Sequence, residues 1–123
     1  MNVVGTWTNQ LGSTLDITAM DQATGSLTGT YSTAVGKPSP VKKHPVAGFA
    51  QGKLVGFTVS YDEIDCICSW VGKFHDDGKL HTMWTFVTET KIEAHPDTGM
   101  VVENPTELWE AFHCQSDIFS RTS

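Results

Sequence analysis

Basic charge is scarce in this chain. Only 8 residues are Lys or Arg against 14 Asp or Glu, and the formal net charge is −6. A nucleic-acid-binding face needs concentrated positive charge, so this balance counts against DNA or RNA as a partner. The lysines that do cluster, Lys37, Lys42 and Lys43, fall in one loop and are expected simply to solvate it. Long apolar runs are missing too, and no stretch approaches the roughly 20 residues that a bilayer-spanning helix requires. A long amphipathic helical pattern is likewise absent.

Cysteine is limited to 3 positions, Cys66, Cys68 and Cys114, so the thiols cannot all pair within the chain. Cys66 and Cys68 stand two apart on one strand face, a poor geometry for bridging each other. A bridge from Cys114 to either stays open on sequence grounds, and all three are read as free thiols. The Cys-x-x-Cys spacing of common zinc sites does not occur. Cys66-x-Cys68 with His75 or His81 is a poor substitute, and no metal is expected. His113 and Cys114 are sequence neighbours, which on a strand sends them to opposite faces and argues against a nucleophile–base dyad. Cys114 is expected to face outward. His44, His75, His81 and His95 lie in or beside loops and are expected to be solvated. No leader-like stretch precedes Val3, which suits a cytosolic protein and equally a mature secreted chain with an added Met1.

What is present is turn chemistry at short intervals. Leu11-Gly12, Asp21 to Gly25, Gly36 to Pro40, Gln51-Gly52, Asp76 to Gly78 and Pro96 to Gly99 punctuate runs rich in Thr, Val, Ile, Phe, Tyr and Trp. That pattern predicts antiparallel strands joined by hairpins. Eight strands are expected near 4–10, 13–20, 27–34, 45–50, 53–61, 66–74, 80–93 and 108–121. The stretch 105–112 is read as the entry to the last strand rather than as a helical turn. With 123 residues, the chain is one domain. Eight short sequential strands suggest an all-β, closed, up-and-down antiparallel barrel, because closure removes exposed edges.

Alternation then defines an inside. Trp7 and Asn9 share a face on the first strand; the second sends inward Ser13, Leu15 and Ile17, and the third Leu27, Gly29, Tyr31 and Thr33. The fifth offers Phe57, Val59 and Tyr61; the sixth Cys66, Cys68, Trp70, Gly72 and Phe74; the seventh Thr82, Trp84 and Phe86; the last His113, Gln115, Asp117 and Phe119. Asn9 and Ser13 taken alone would be turn caps, and Trp70, Trp84 and Phe86 plain core. Asp117 resists such a reading, since an unpaired buried carboxylate is costly. A mixed aromatic and polar lining in an eight-stranded barrel is suited to one small ligand.

The residues Gly-Thr-Trp-Thr-Asn-Gln-Leu-Gly-Ser (5–13), Leu-Thr-Gly-Thr-Tyr-Ser-Thr-Ala-Val-Gly (27–36), Gly-Phe-Thr-Val-Ser-Tyr (56–61), Trp-Val-Gly-Lys-Phe (70–74) and Thr-Met-Trp (82–84) closely resemble the avidin and streptavidin family. The resemblance implies non-covalent binding of biotin in one end of the barrel, with no catalysis and no cofactor. It matches Asn9, Ser13 and Tyr31 to the donors for the ureido oxygen, and Thr33 and Asp117 to the acceptors for its two N–H groups. Tyr61, Trp70, Trp84 and Phe86 match the apolar walls. Val35, Gly36 and Lys37 lie in the loop that meets the valeryl carboxylate. Trp109 matches the tryptophan lent to a neighbouring subunit, which implies a homodimer or homotetramer.

Three departures stand out. Tyr61 replaces a usual tryptophan, Cys68 a threonine that meets the biotin sulfur, and Cys66 a serine that touches the carboxylate. Each lost neutral hydrogen bond is worth about 0.5–1.5 kcal/mol, so binding weaker than in the tightest members is expected. Thr88 to Thr106 is extra material, read as an extended hairpin around Pro96 to Gly99. A secreted location is favoured by the resemblance alone. Alternatives are a lipocalin-like carrier of another apolar ligand, an enzyme using the pocket thiols, and an avidin-like protein that has lost biotin.

Overall fold

A computed structural model describes residues 2–33, 42–61, 66–88, 90–95, 99–105 and 112–122. Its strands are β1 (Gly5–Asn9), β2 (Thr14–Met20), β3 (Ser26–Ser32), β4 (His44–Gln51), β5 (Leu54–Tyr61), β6 (Cys66–Phe74), β7 (Leu80–Thr88), β8 (Thr90–His95), β9 (Gly99–Pro105) and β10 (Phe112–Arg121). Eight of them close an antiparallel barrel in the order β1-β10-β7-β6-β5-β4-β3-β2, while β8 and β9 pair only with each other. The barrel read from the turn spacing is therefore the barrel observed.

The boundary of the seventh strand differs from the expected 80–93. Cys66, the first residue of β6, pairs with Thr88, so β7 has no partner beyond that point. The chain then leaves the barrel, and Ile92 pairs with Val102 and Ala94 with Met100 in a separate ribbon. The last strand is described from Phe112, opposite Val87, to Arg121, within the expected 108–121, and its expected start near 108 lies outside the described residues.

Strict alternation makes the wall. In β6, Cys66, Cys68, Trp70 and Phe74 are buried while Ile67 and Val71 face out, because successive side chains leave opposite faces. The interior has two unlike ends. At one, Val3, Trp7, Phe74, Leu80 and Phe119 are almost wholly buried and form an apolar plug. The Trp7 ring meets Phe74 with centroids 5.3 Å apart, and its indole N–H donates to the carbonyl of Val3 at 3.0 Å. Arg121 lies over the same indole at 4.5 Å and donates to the carbonyls of Val4 and Asn2. Since Trp7 pairs with Arg121 where the first and last strands meet, these contacts staple the seam. At mid-height Phe57 stacks on Trp70, centroids 5.0 Å apart, and meets Phe119 edge-on at 6.1 Å.

Gly25 ends the β2–β3 turn with φ of 80°, where its carbonyl accepts from the amide of Ala50 at 2.8 Å. A Cβ there would run into the carbonyl oxygen of Ala50, whereas one at Gly52 (φ 59°) would meet open space. Both positions carry the left-handed penalty of about 1–2 kcal/mol for an L side chain. Only Gly25 adds a collision with backbone. Thermal unfolding followed by circular dichroism should therefore show Gly25→Ala losing clearly more than Gly52→Ala, whose loss should be roughly 4–8 °C.

Candidate functional site

The site begins with a turn. Asn9 closes β1, and its side-chain oxygen accepts from the amides of Leu11 at 3.0 Å and Ser13 at 2.9 Å. The turn-capping role open to Asn9 from sequence is thus real, and it has a consequence. With Oδ1 committed to two backbone donors, Nδ2 must face the barrel interior, where it donates to Oδ2 of Asp117 at 3.3 Å. One side chain both shapes the hairpin and presents an amide donor.

Asp117 is the hub. It is only 5% exposed, and a carboxylate so placed must be satisfied by donors. Besides Asn9, the indole N–H of Trp70 donates to Oδ2 at 3.1 Å, and Nε2 of Gln10 donates to Oδ1 at 2.9 Å. Gln10 completes a clamp by accepting from the amide of Ile118 at 3.0 Å. The Thr82 hydroxyl donates to the Asp117 carbonyl at 2.9 Å.

The hydroxyls gather on the same side. Tyr31 is buried, its ring 5.0 Å from Trp70. Burial pushes its phenol well above the ordinary value; hydrogen bonds from Ser13 and Asn9 pull it back in part, and the charge of Asp117 pushes it further. Asn9, Ser13, Tyr31 and Asp117, from β1, the turn, β3 and β10, therefore share one locus. Next to it, burial likewise raises Tyr61; Tyr31, Cys68 and Cys66 push the same way, and the neighbouring Thr33 draws it back in part. Trp84 and Phe86, both half-buried, stack with centroids 5.3 Å apart and form the outer wall on β7.

Cys66 and Cys68 are buried inward-facing thiols, and Cys114 is exposed; all three are free. Burial pushes Cys66 up to about 11 and Cys68 higher still, with Cys66 and Asp117 adding to the latter. Such thiols stay protonated near neutral pH and make poor nucleophiles.

Four residues that matter were not among the expected site residues. Gln10 belongs to the same motif as Asn9, but alternation aims it outward; only at the strand end can it fold over the rim. Thr82 sits opposite Asp117 in register, and its inward position was legible. Phe57 supplies the floor under Trp70. His44 was expected in solvent beside a loop, yet it is the first residue of β4, buried, with its imidazole 4.6 Å from the Tyr61 ring. Pairing with Tyr31 fixes it to the wall, which proximity to a loop cannot reveal. Gln115, expected inward, is exposed at the open end of β10. Val35, Gly36, Lys37 and Trp109 lie outside the described residues.

A closed eight-stranded barrel, apolar at one end and lined at the other by a carboxylate, an amide, hydroxyls and tryptophans, is a small-molecule-holding architecture. Comparison with known proteins agrees. The Avidin family profile matches residues 1–122, and the chain belongs to that family. Avidin-related protein 4/5 of Gallus gallus is 36% identical over 92 residues, which take in 68% of this chain and 61% of that relative. Avidin-related protein 3 of the same organism is 35% identical over the same coverage. The chain thus spans about three fifths of the length of these curated relatives. Among solved structures, Xenavidin superposes with a TM-score of 0.74 at 29% identity, covering 98% of both chains. A shwanavidin variant solved as a biotin complex gives 0.73 at 27% identity, covering 99% of both.

The thiols offer a direct check on this geometry. Native protein treated with iodoacetamide near pH 8 should lose one thiol per chain quickly, at Cys114. Cys66 and Cys68 should label only slowly until the protein is denatured, as read by intact mass.

Proposed function

We propose that the polar end of the barrel holds biotin non-covalently and leaves it chemically unchanged. The observation that carries this reading is the buried Asp117 carboxylate, tied to Asn9 and Trp70 and flanked by the Tyr31 and Ser13 hydroxyls. A cyclic urea matches that arrangement, with one oxygen to be donated to and two N–H groups to be accepted. In this reading Asn9, Ser13 and Tyr31 donate to the ureido oxygen, while Thr33 and Asp117 accept from the N–H groups. Donors on one side and a carboxylate on the other polarise the urea, and hydrogen bonds to charged groups are roughly twice as strong as neutral ones. The donors are held by the scaffold before the ligand arrives, so little ordering is lost on binding.

Tyr61, Trp70, Trp84 and Phe86 wall the bicyclic ring. Cys68 and Cys66 take the places facing the ring sulfur and the carboxylate; a thiol is a weak donor, which lowers the affinity below that of the tightest members. Val35, Gly36 and Lys37 close over the carboxylate, and Trp109 reaches a neighbouring subunit; both assignments rest on the sequence resemblance. Burial keeps the inward thiols protonated near neutral pH, which disfavours their use as nucleophiles.

Isothermal titration should register biotin binding at one site per chain. Asp117→Asn keeps the shape and removes the charge. Hydrogen bonds to charged groups are worth about 1.5–3 kcal/mol, so affinity should fall roughly ten- to hundred-fold. Unchanged binding in that variant would mean the pocket is misassigned.

Self-association is part of the same reading. Ile67 and Val71 on β6, Met83 on β7 and Ile118 on β10 are exposed, Val71 and Met83 by 68% and 60%. Register makes Val71 the partner of Met83 and Met83 the partner of Ser116, so the stripe runs across three adjacent strands. Contiguous exposed apolar surface of this kind marks an interface, and the occupant here is a second copy. Size-exclusion chromatography with light scattering should report at least a dimer, and Met83→Lys should shift the protein towards monomer without lowering its barrel content by circular dichroism.

A further inference from the structure

β1 is shorter than the strand it closes against. Its last register pair is Asn9 with Phe119, so the residues of β10 that precede Phe119 lie past the end of β1. Gln10, the next residue, continues the contact with its side chain instead of its backbone. Its Oε1 accepts from the amide of Ile118 at 3.0 Å, while Nε2 donates to Oδ1 of Asp117 at 2.9 Å and to the Ser116 carbonyl at 3.5 Å. The amide cannot be turned over. Flipped, its NH2 would face the amide of Ile118 and its oxygen would face the carboxylate. The backbone of β10 therefore decides which end of Gln10 meets Asp117.

The two oxygens of Asp117 are held by different kinds of neighbour. Oδ2 receives Nδ2 of Asn9 at 3.3 Å and the indole N–H of Trp70 at 3.1 Å, both from buried residues. Oδ1 receives Gln10, an exposed residue at the rim. We propose that Gln10 is a positioning residue for the ligand: by gripping Oδ1 from the solvent side, it keeps the carboxylate turned so that Oδ2 is the oxygen offered to a ligand N–H. The inference rests on the biotin reading of the pocket and gives a side chain outside the pocket a share in it. The terminal torsion of an aspartate is broad and roughly two-fold, so donors on one oxygen alone do not stop the group from swinging. A third donor on the other oxygen does. The bond is of the stronger, charge-assisted kind. Water at the rim replaces part of it when the amide is removed, so the effect is graded rather than all-or-none. Gln10 acts through Asp117 and not on the ligand itself.

The test titrates biotin into wild-type protein, Gln10→Met, Gln10→Glu, Asp117→Asn and the Gln10→Met/Asp117→Asn double variant, each with its barrel verified by circular dichroism. Gln10→Met keeps the length of the side chain and removes its hydrogen bonds. It should bind biotin about two- to tenfold more weakly, the size of one hydrogen bond. With Asp117→Asn already in place, the same change should cost less than about twofold, because the carboxylate it positions is gone; two residues acting as a unit are not additive. Gln10→Glu gives a readout that packing alone would not move. Above neutral pH the introduced carboxylate repels Asp117, and affinity should fall further than in Gln10→Met. Repulsion between two carboxylates raises the pKa of one of them. Once protonated, the introduced group has an O–H for Oδ1 and still an oxygen for the Ile118 amide. Its deficit relative to wild type should therefore shrink from about pH 8 to about pH 5. Unchanged affinity in Gln10→Met, an equal loss with and without the Asp117 charge, or a Gln10→Glu deficit that does not shrink on acidification would each overturn the inference. Weakened binding in Asp117→Asn beside any of those results would leave the biotin reading standing. Wild-type protein giving no heat with biotin would overturn both.

Discussion

A carboxylate nearly sealed from water is tolerable only when its oxygens are met by donors, and in this barrel that condition organises one whole end. Asp117 sits on β10 and draws Asn9 from β1, Gln10 from the following turn and Trp70 from β6, while its own carbonyl receives Thr82 from β7. The bonds from Asn9 and Gln10 cross the seam where the first and last strands close. Removing any donor leaves part of a buried charge unsatisfied, which is more costly than the bond itself is worth. The arrangement is therefore self-consistent: the barrel must close for the carboxylate to be satisfied, and the carboxylate helps specify the closure.

The opposite end meets a different requirement. There, Trp7, Phe74, Leu80 and Phe119 fill the interior, and Arg121 covers the indole while donating to the carbonyls of Val4 and Asn2. With one end solid, polar groups concentrate at the other, above the stacked Phe57 and Trp70. The outer surface follows a third rule. Apolar side chains at Val71, Met83 and Ile118 remain open to solvent in the single chain.

Much of this was legible in the residues. Turn chemistry at Leu11-Gly12 and Asp76 to Gly78 and the two-residue period between turns specify an antiparallel sheet, and eight such runs specify closure. The inward set of β6 follows from parity alone. Legibility failed where a contact depends on a neighbour from elsewhere. Gln10 points outward by parity but bends over a strand end to Asp117. His44 stands beside a loop in sequence and inside the wall in space. The end of β7 is set by where β6 begins, since a strand continues only while it has a partner.

The sequence by itself determined the all-β class, the inward and outward faces, and the pairing of an amide, hydroxyls and a carboxylate with tryptophans in one family pattern. Local turn propensity and side-chain alternation carry that information, and both are properties of neighbouring residues along the chain. Only the tertiary structure decided that the Asn9 amide turns its nitrogen to Asp117, that Gln10 clamps the same carboxylate, and that Tyr61 rests against His44. Those are meetings of groups from separate strands, and their geometry exists only once closure has fixed which strand lies beside which.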